Sequence, residues 1–338
     1  MDVIISASLT QVLVIDDDSQ VGHARRSVQR LAEQQGFDET DAGRAALVVT
    51  ELATNLLKHA GQGVLHVRTL PGPSASGLEL LAIDHGQGFD ASVCMTDGYS
   101  TCGTQGLGLG SISRLTQVCD HYSDARGTVV LARLYPRTGA CVDLRFGVSQ
   151  HSLHDDPACG DTWALALTEQ GIAALVIDGL GHGEDAAQAA RAGADVFEAA
   201  PFADLQVTIG AMHQAMTGTR GGAVALARYE RAQRRFSFAG IGNISASLIE
   251  GTRSQGLASH PGIVGGHYRK VHVFDYAEPS ARWLILHSDG LQSRWNLNDY
   301  PGLVHCHPAV IAAVLHRDFC RGRDDVTVLI IDLESPHG

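Results

Sequence analysis

Hydrophobic residues recur along the first part of the chain in two rhythms, one of strands and one of helices. "QVLVI" (11–15) is a short apolar run of strand character. Residues 19–35 and 41–60 then carry apolar positions at helical spacing, with Asp41 as a candidate N-cap and Gly61 as a candidate C-cap. "GVLHVRTL" and "LELLAID" read as two strands joined by a hairpin loop, "PGPSASG". A Gly/Ser/Thr-rich segment, 85–106, has no strong period. A helix from about 107 to 119 and a strand, "GTVVLARLY" (127–135), close the unit. "PRTGA" (136–140) is the best linker, dividing the chain into 1–136 and 140–334.

The second part is richer in strands. "VDLRFGVS", "TWALALT" and "GIAALVID" come in succession, and 185–199 and 203–217 read as two helices. Five further strand runs follow: "GGAVALARY", "RRFSFAGIG", "ISASLIE", "RKVHVFDY" and "RWLILHSDG". A helix near 308–320 and a last strand, "DVTVLIID", end the pattern. Many β runs around two central helices predict two sheets with helices outside, an α+β layered fold.

Composition narrows the function classes. At 338 residues, 44% hydrophobic and 18% charged, each half can build a core of its own. A net charge of −12 argues against an electrostatic grip on nucleic acid or anionic membrane, both of which need clustered Lys and Arg. The seven cysteines form no CxxC pair and read as free thiols in a reducing compartment. "HCH" (305–307) reads as a chance tripeptide. The opening "MDVIISASLTQVLVIDDD" lacks the basic-then-apolar order of a secretory signal, and no run reaches the roughly 18 apolar residues of a membrane helix. A cytoplasmic location is expected.

Two glycine-rich stretches carry the candidate chemistry. In "ELATNLLKHA", Glu51, Asn55 and His59 are spaced i, i+4, i+8 and share a helix face, while Leu47, Leu52 and Leu56 are expected to face the core. Asn55 can offer an oxygen to Mg²⁺ and Glu51 can accept a proton. The bland alternative for that stripe is a solvated helix face. "DHGQGFD" then puts Asp84 at a strand end beside Gly86 and Gly88, a fitting acceptor for an adenine amino group. "GLGLGS" opens a helix whose free amides can meet phosphates.

With these motifs in this order, residues 10–135 resemble the GHKL ATPase/kinase family, in its RsbT/RsbW branch of anti-sigma-factor serine kinases. "ELATNLLKHA" resembles the family's N-box, and "DHGQG" and "GLGLG" its two glycine boxes. The resemblance implies ATP and Mg²⁺, with Asn55 at the metal and Asp84 on adenine. His59, Gly86, Gly88, Gly106, Gly108, Gly110 and Thr128 would line the nucleotide site. It also implies Glu51 as the base that activates a protein serine or threonine hydroxyl, and a short ATP lid between Gly88 and Gly106.

In the second half, Asp161 ("CGDTW"), Asp178 ("IDGLGHG"), Asp289 ("HSDGL") and Asp324 ("GRDDVTVL") stand at predicted strand ends or turns. Singly, each reads as a turn aspartate beside glycine. Gathered at one end of a two-sheet core, they would suit a pair of hard cations. Residues 142–333 resemble the metal-dependent PPM phosphatases of the SpoIIE/RsbX branch, through "CGD", "VIDGLGHGEDA", "GIGN", "PGIVG", "SDGL" and "RDDVTVL". The resemblance implies two Mn²⁺ or Mg²⁺ ions bridged by Asp178, with Asp289 and Asp324 on one ion. The carbonyl of Gly179 would face the other, and Asp161 would orient metal-bound waters. Water would attack the phosphorus of phosphoserine or phosphothreonine directly. Where the eukaryotic branch has a histidine after "DG", this chain has Leu180. His182, two positions on, is open between an acid and a loop-stabilising role. No phosphate-gripping arginine is placed; Arg145 is a guess kept outside the site.

Together the two resemblances imply an N-terminal GHKL (Bergerat) α/β sandwich followed by a PPM-type α-β-β-α sandwich. The implied function is a serine kinase fused to a serine/threonine phosphatase, acting on STAS-domain phosphoproteins of the anti-sigma antagonist or stressosome type. A downstream switch phosphatase or sigma-factor regulator is a further expected partner. A runner-up keeps the phosphatase and makes the first domain a nucleotide-sensing or partner-binding regulator. A third reading is a non-enzymatic module that sequesters a sigma factor or scaffold.

Overall fold

The computed structural model describes residues 3–7, 10–71, 76–88, 108–137, 143–251, 253–277 and 280–334. The chain divides into two compact units. One comprises Thr10–Asp143 with His305–Val314, the other Met1–Leu9 with Leu144–Val304 and Leu315–Gly338. The first described strand, β1 (Val3–Ser6), belongs to the second of these.

The first unit runs β2 (Gln11–Ile15), α1 (Asp18–Gln34), α2 (Glu39–Ala60), β3 (Gly63–Leu70), β4 (Gly77–Ile83), α3 (Gly108–Leu115), β5 (Val118–Asp124) and β6 (Gly127–Leu134). Its five strands form one antiparallel sheet in the order β2-β3-β4-β6-β5. The helices pack on one face. Ala24, Val28 and Ala32 of α1 and Val48, Val49, Leu52 and Leu56 of α2 close on Leu65, Val67, Leu80 and Ala132 of the sheet. That spacing is one apolar stripe of a 3.6-residue helix meeting the inward pleat of a sheet.

Three local expectations change. Helix α2 begins at Glu39, because Asp38 caps it by accepting the Asp41 amide at 2.7 Å. Asp41 is instead a buried first-turn residue paired with Arg44 at 3.0 Å. Leu47 is 58% exposed and does not reach the core, whereas Leu52 and Leu56 do. Helix α3 stops at Leu115, and "VCDHYSD" forms the edge strand β5, whose polar residues gave no strand signal.

The second unit holds two antiparallel sheets. The first has the order β1-β8-β9-β10-β11-β14, with β8 (Asp161–Leu167), β9 (Gly171–Gly179), β10 (Gly222–Glu230), β11 (Arg235–Ile241) and β14 (Phe274–Ala277). The second has the order β13-β12-β15-β16-β7, with β7 (Phe146–His151), β12 (Ser245–Glu250), β13 (Arg253–Leu257), β15 (Trp283–His287) and β16 (Val326–Asp332). The sheets meet through Trp163 and Phe146, whose rings lie 5.8 Å apart, and through the Trp163 indole N–H donating to Gln150 Oε1 at 3.2 Å. Helices α4 (Glu184–Ala199) and α5 (Leu205–Met216) cover the outer face of the first sheet. Their Ala189, Ala190, Phe197, Ile209 and Met212 bury against Ala173, Leu175 and Ile177 of β9. Helix α6 (Pro308–Phe319) precedes the last strand. The architecture is α+β: a helix-backed antiparallel sheet in one unit and a layered two-sheet sandwich in the other. Among the described residues no helix is long and apolar enough to cross a membrane.

Candidate functional site

In the first unit, α2 holds Glu51 and Asn55 half-buried on one face. His59, a turn further on, is exposed, and it is Ala60 that packs against the Gly86 turn. Asp84, just past β4, is 8% exposed. Its Oδ1 accepts the Gly86 amide at 2.8 Å and the Thr128 amide at 3.1 Å. Thr128 is itself buried, with its hydroxyl 3.1 Å from Ser123 Oγ. Among the described residues both bonds to the Asp84 carboxylate fall on Oδ1, which leaves Oδ2 to receive a ligand's amino group. The close pairing of Asp84 with β6 requires glycine at 127, where φ is +133° and a Cβ would lie 2.0 Å from the Asp84 carbonyl oxygen.

Gly108 is the first residue of α3 and Gly110 lies in its first turn. A Cβ at Gly108 would be 3.4 Å from Asn55 Nδ2, so the start of this helix lies directly beside the α2 amide. The start of α3 and the Asn55 amide side chain thus come together although they are distant in sequence. Gly88 sits at φ +69° against the Asp124 carbonyl. Gly106 and the lid segment lie outside the described residues. The first-turn amides of α3 are donors without helical partners, which suits them to phosphate oxygens.

In the second unit the four predicted aspartates converge. Asp161 opens β8 and Asp178 lies near the end of β9, directly opposite it in the antiparallel register. Asp289 follows β15, and Asp324 precedes β16. Burial pushes the Asp178 carboxyl up to about 7, reinforced by the charges of Asp289, Asp324 and Asp325. Burial, then the Asp178 charge, holds Asp161 well above the usual carboxylate range. Asp324 is raised as well, chiefly by burial, while His182 is close enough to oppose the shift. Carboxylates raised this way are short of positive charge, and a cluster of such oxygens fits hard divalent cations.

The supporting residues include several that the sequence motifs did not single out. Ser288 Oγ donates to Asp161 Oδ2 at 2.6 Å and accepts the Thr327 amide at 3.0 Å. Gln150 Nε2 donates to the Asp161 carbonyl at 2.7 Å. Asn243, from "GIGN", donates to Asp289 Oδ2 at 2.7 Å. Asp325 is buried, accepting the Leu153 amide at 2.6 Å on one oxygen and the Gly160 amide at 2.5 Å on the other. It therefore braces the turn that leads into Asp161. The "DD" doublet was the available signal, but which of two adjacent aspartates turns inward depends on local backbone direction. Gly179 packs so tightly that a Cβ would lie 2.3 Å from the Ala186 carbonyl oxygen. Arg145 is not at this site. Its Nε lies 3.4 Å from Asp332 Oδ2, at the opposite end of β16 from Asp324.

Each of the two units is similar to known proteins. Residues 15–134 match the family model of the histidine kinase-like ATPase domain. The serine/threonine-protein kinase RsbT of Bacillus subtilis (strain 168) is 34% identical over 93 residues, 27% of this chain and 70% of RsbT. The phosphoserine phosphatase RsbX of the same organism is 27% identical over 139 residues, 39% of this chain and 67% of RsbX. A solved chain from work on the bacterial stressosome, "a modular system that has been adapted to control secondary messenger signaling", superposes with TM-score 0.52 at 26% identity. It covers 56% of this chain and 99% of its own length. The chain belongs to the RsbT-type branch of the histidine kinase-like ATPase family, joined on one polypeptide to an RsbX-like PPM phosphatase fold.

Proposed function

We propose that the chain is a bifunctional cytoplasmic switch protein, with an ATP-dependent serine/threonine kinase in its first unit and a metal-dependent phosphoserine/phosphothreonine phosphatase in its second. Its protein substrates would be STAS-domain proteins of an anti-sigma or stressosome-type pathway, where a phosphate's charge decides which partner is held. The observation that carries the phosphatase reading is the convergence of Asp161, Asp178, Asp289 and Asp324 at one end of the sandwich, with Asp178 lifted to about 7.

The donor set suits two Mn²⁺ or Mg²⁺ ions, which Asp178, Asp289, Asp324 and the Gly179 carbonyl would hold, with Asp161 orienting water beside them. Such ions, when bound, would polarise the phosphoryl group and lower the pKa of water. The chain's own residues then position the site. Ser288 and Gln150 fix Asp161, Asn243 fixes Asp289, and Asp325 holds the preceding turn. Hydrolysis consumes one water and returns the serine hydroxyl and free phosphate.

In the kinase unit, Asp84 would select adenine, Asn55 would hold the Mg²⁺, and the start of α3 would bind phosphate oxygens. Glu51, on the same helix face as Asn55, would take the proton from the attacking hydroxyl as the phosphoryl group passes to it. The test follows phosphosite occupancy on a candidate STAS protein by mass spectrometry, with and without ATP and Mn²⁺. Wild type should add phosphate with ATP and remove it with Mn²⁺. Glu51→Ala should lose only the first activity and Asp178→Ala only the second. ATP that alters the dephosphorylation rate without being transferred would replace the kinase with a nucleotide-sensing regulator.

A further inference from the structure

The residues that support the four aspartates include no arginine or lysine for the substrate's phosphate dianion, and Arg145 is committed elsewhere. Strand β10 supplies a candidate. In the β9–β10 register Gly222 faces Gly179 and Ala223 faces Asp178, and the pairing runs on into the loop, where the Leu180 amide donates to the Gly221 carbonyl at 2.9 Å. Arg220 is the next residue back and therefore lies across the glycine loop that follows Asp178. Its guanidinium is laid over Gly181. A Cβ there would be 2.9 Å from Arg220 Nη1, and φ at Gly181 is +87°, a conformation that itself favours glycine. Arg220 Nη2 donates to Asp185 Oδ2 at 2.7 Å, in the first turn of α4.

That ion pair is poorly explained as a structural clamp. Both side chains are about half exposed or more, at 48% and 67%, and exposed pairs contribute little to stability. A guanidinium has five donors in a planar fork, and the Asp185 bond occupies only one edge. Its Nη1 lies over Gly181, in the loop between Asp178 and His182, where contact with phosphate oxygens is the strong interaction open to it.

From this placement we infer that Arg220 is the phosphate-gripping residue of the phosphatase site, held in aim by Asp185. The inference rests on the phosphatase reading. It assigns a role to a residue that lies well outside the aspartate motifs, on the far side of two helices in sequence.

The test uses the full chain with Mn²⁺, p-nitrophenyl phosphate as substrate and inorganic phosphate as competitive inhibitor. Arg220→Ala should raise both the KM and the phosphate inhibition constant about tenfold or more, the scale of one lost charge-assisted contact. Arg220→Lys should recover part of the loss, since it keeps the charge but not the fork. Asp185→Asn, which releases the guanidinium from its aim, should raise both constants by less than Arg220→Ala does, and Arg191→Ala, a control for net charge, should match wild type. Thermal unfolding of every variant reports whether the fold is kept. Equal phosphate inhibition of Arg220→Ala and wild type would overturn the assignment while leaving the phosphatase standing. So would a loss in Asp185→Asn as large as in Arg220→Ala, which would make the pair a loop clamp. A wild type without Mn²⁺-dependent turnover would instead defeat the phosphatase reading itself, and the assignment with it.

Discussion

Asp161 and Asp178 stand opposite each other in the β8–β9 ladder, two carboxylates on neighbouring strands at the buried end of a sandwich. Like charges directly opposite in a sheet destabilise it, so this pair is a local cost of the fold that a proton or a cation must offset. The folded state holds the Asp178 proton more tightly than the unfolded chain does, up to a pH of about 7. Metal-free protein should therefore lose stability as pH rises from about 4 through about 7. In EDTA the Tm should be higher near pH 5.5 than near pH 8, and Mn²⁺ should restore most of the difference at the higher pH. Asp178→Asn should flatten the EDTA profile. A Tm that rises steadily across this range in EDTA would contradict the raised carboxyl.

Asp325 ties the Leu153 and Gly160 amides, one on each carboxylate oxygen. Asp325→Ala strands both donors and should cost about 1–3 kcal/mol in urea unfolding. The turn into Asp161 should loosen with it, and the apparent Mn²⁺ affinity should fall. Asp325→Asn keeps one acceptor oxygen and should lie between the two. Unchanged stability in Asp325→Ala would remove the bracing role.

Glu51 and Asn55 share a face of α2 but are expected to fail differently. Glu51→Gln should lower phosphotransfer by about 100-fold or more while a fluorescent ATP analogue still binds. Asn55→Ala, beside the start of α3, should weaken the binding itself. Loss of nucleotide binding in Glu51→Gln would show that the carboxylate holds the ligand and does not serve as the base.

Two glycines give opposite predictions. Gly127→Ala adds a methyl 2.0 Å from the Asp84 carbonyl oxygen at a φ of +133°, so both Tm and ATP-analogue affinity should drop. Gly43 lies inside α2 with nothing within 4 Å of an added Cβ. Gly43→Ala should raise stability by about 0.5–1 kcal/mol in urea unfolding with nucleotide binding retained.

Away from the sites, Glu79 on β4 is buried between Arg68 on β3 and Arg133 on β6, 2.7 Å from Arg133 Nη2 and in direct contact with Arg68. The two guanidiniums hold its carboxyl below the usual range despite burial. Glu79→Ala removes the carboxylate that both arginines share, and should cost about 3–5 kcal/mol in denaturant unfolding. A replacement that cost under about 1 kcal/mol would show that the network is solvated in solution.

Much of this protein can be read from local sequence, because the physics that sets it is local. "QVLVI" and "GVLHVRTL" occupy β2 and β3 residue for residue, since apolar runs bounded by turn residues need no distant partner to be recognised. The αL glycine at 61 ends α2 as its position predicts, with φ +76°. The α+β class and the order of the motif residues followed from the same short-range patterns.

What the tertiary structure decided is everything that depends on which segment lies beside which. β1, β5 and β13 are strands because a neighbouring edge was available to pair with them. Polar sequences such as "VCDHYSD" and "RSQGL" carry no period that announces this. Leu47 fits the same apolar list as Leu52 and Leu56, but the face it occupies has no sheet beneath it. Asp324 and Asp325 are chemically alike and adjacent, yet one accepts two backbone amides in the core while the other is left at the rim. Arg145 is the arginine that motif logic can guess, but it stands just before β7, opposite Asp332 at the far end of β16 from Asp324. Arg220 reaches the glycine loop through strand register alone, a long-range pairing that only the folded chain can set.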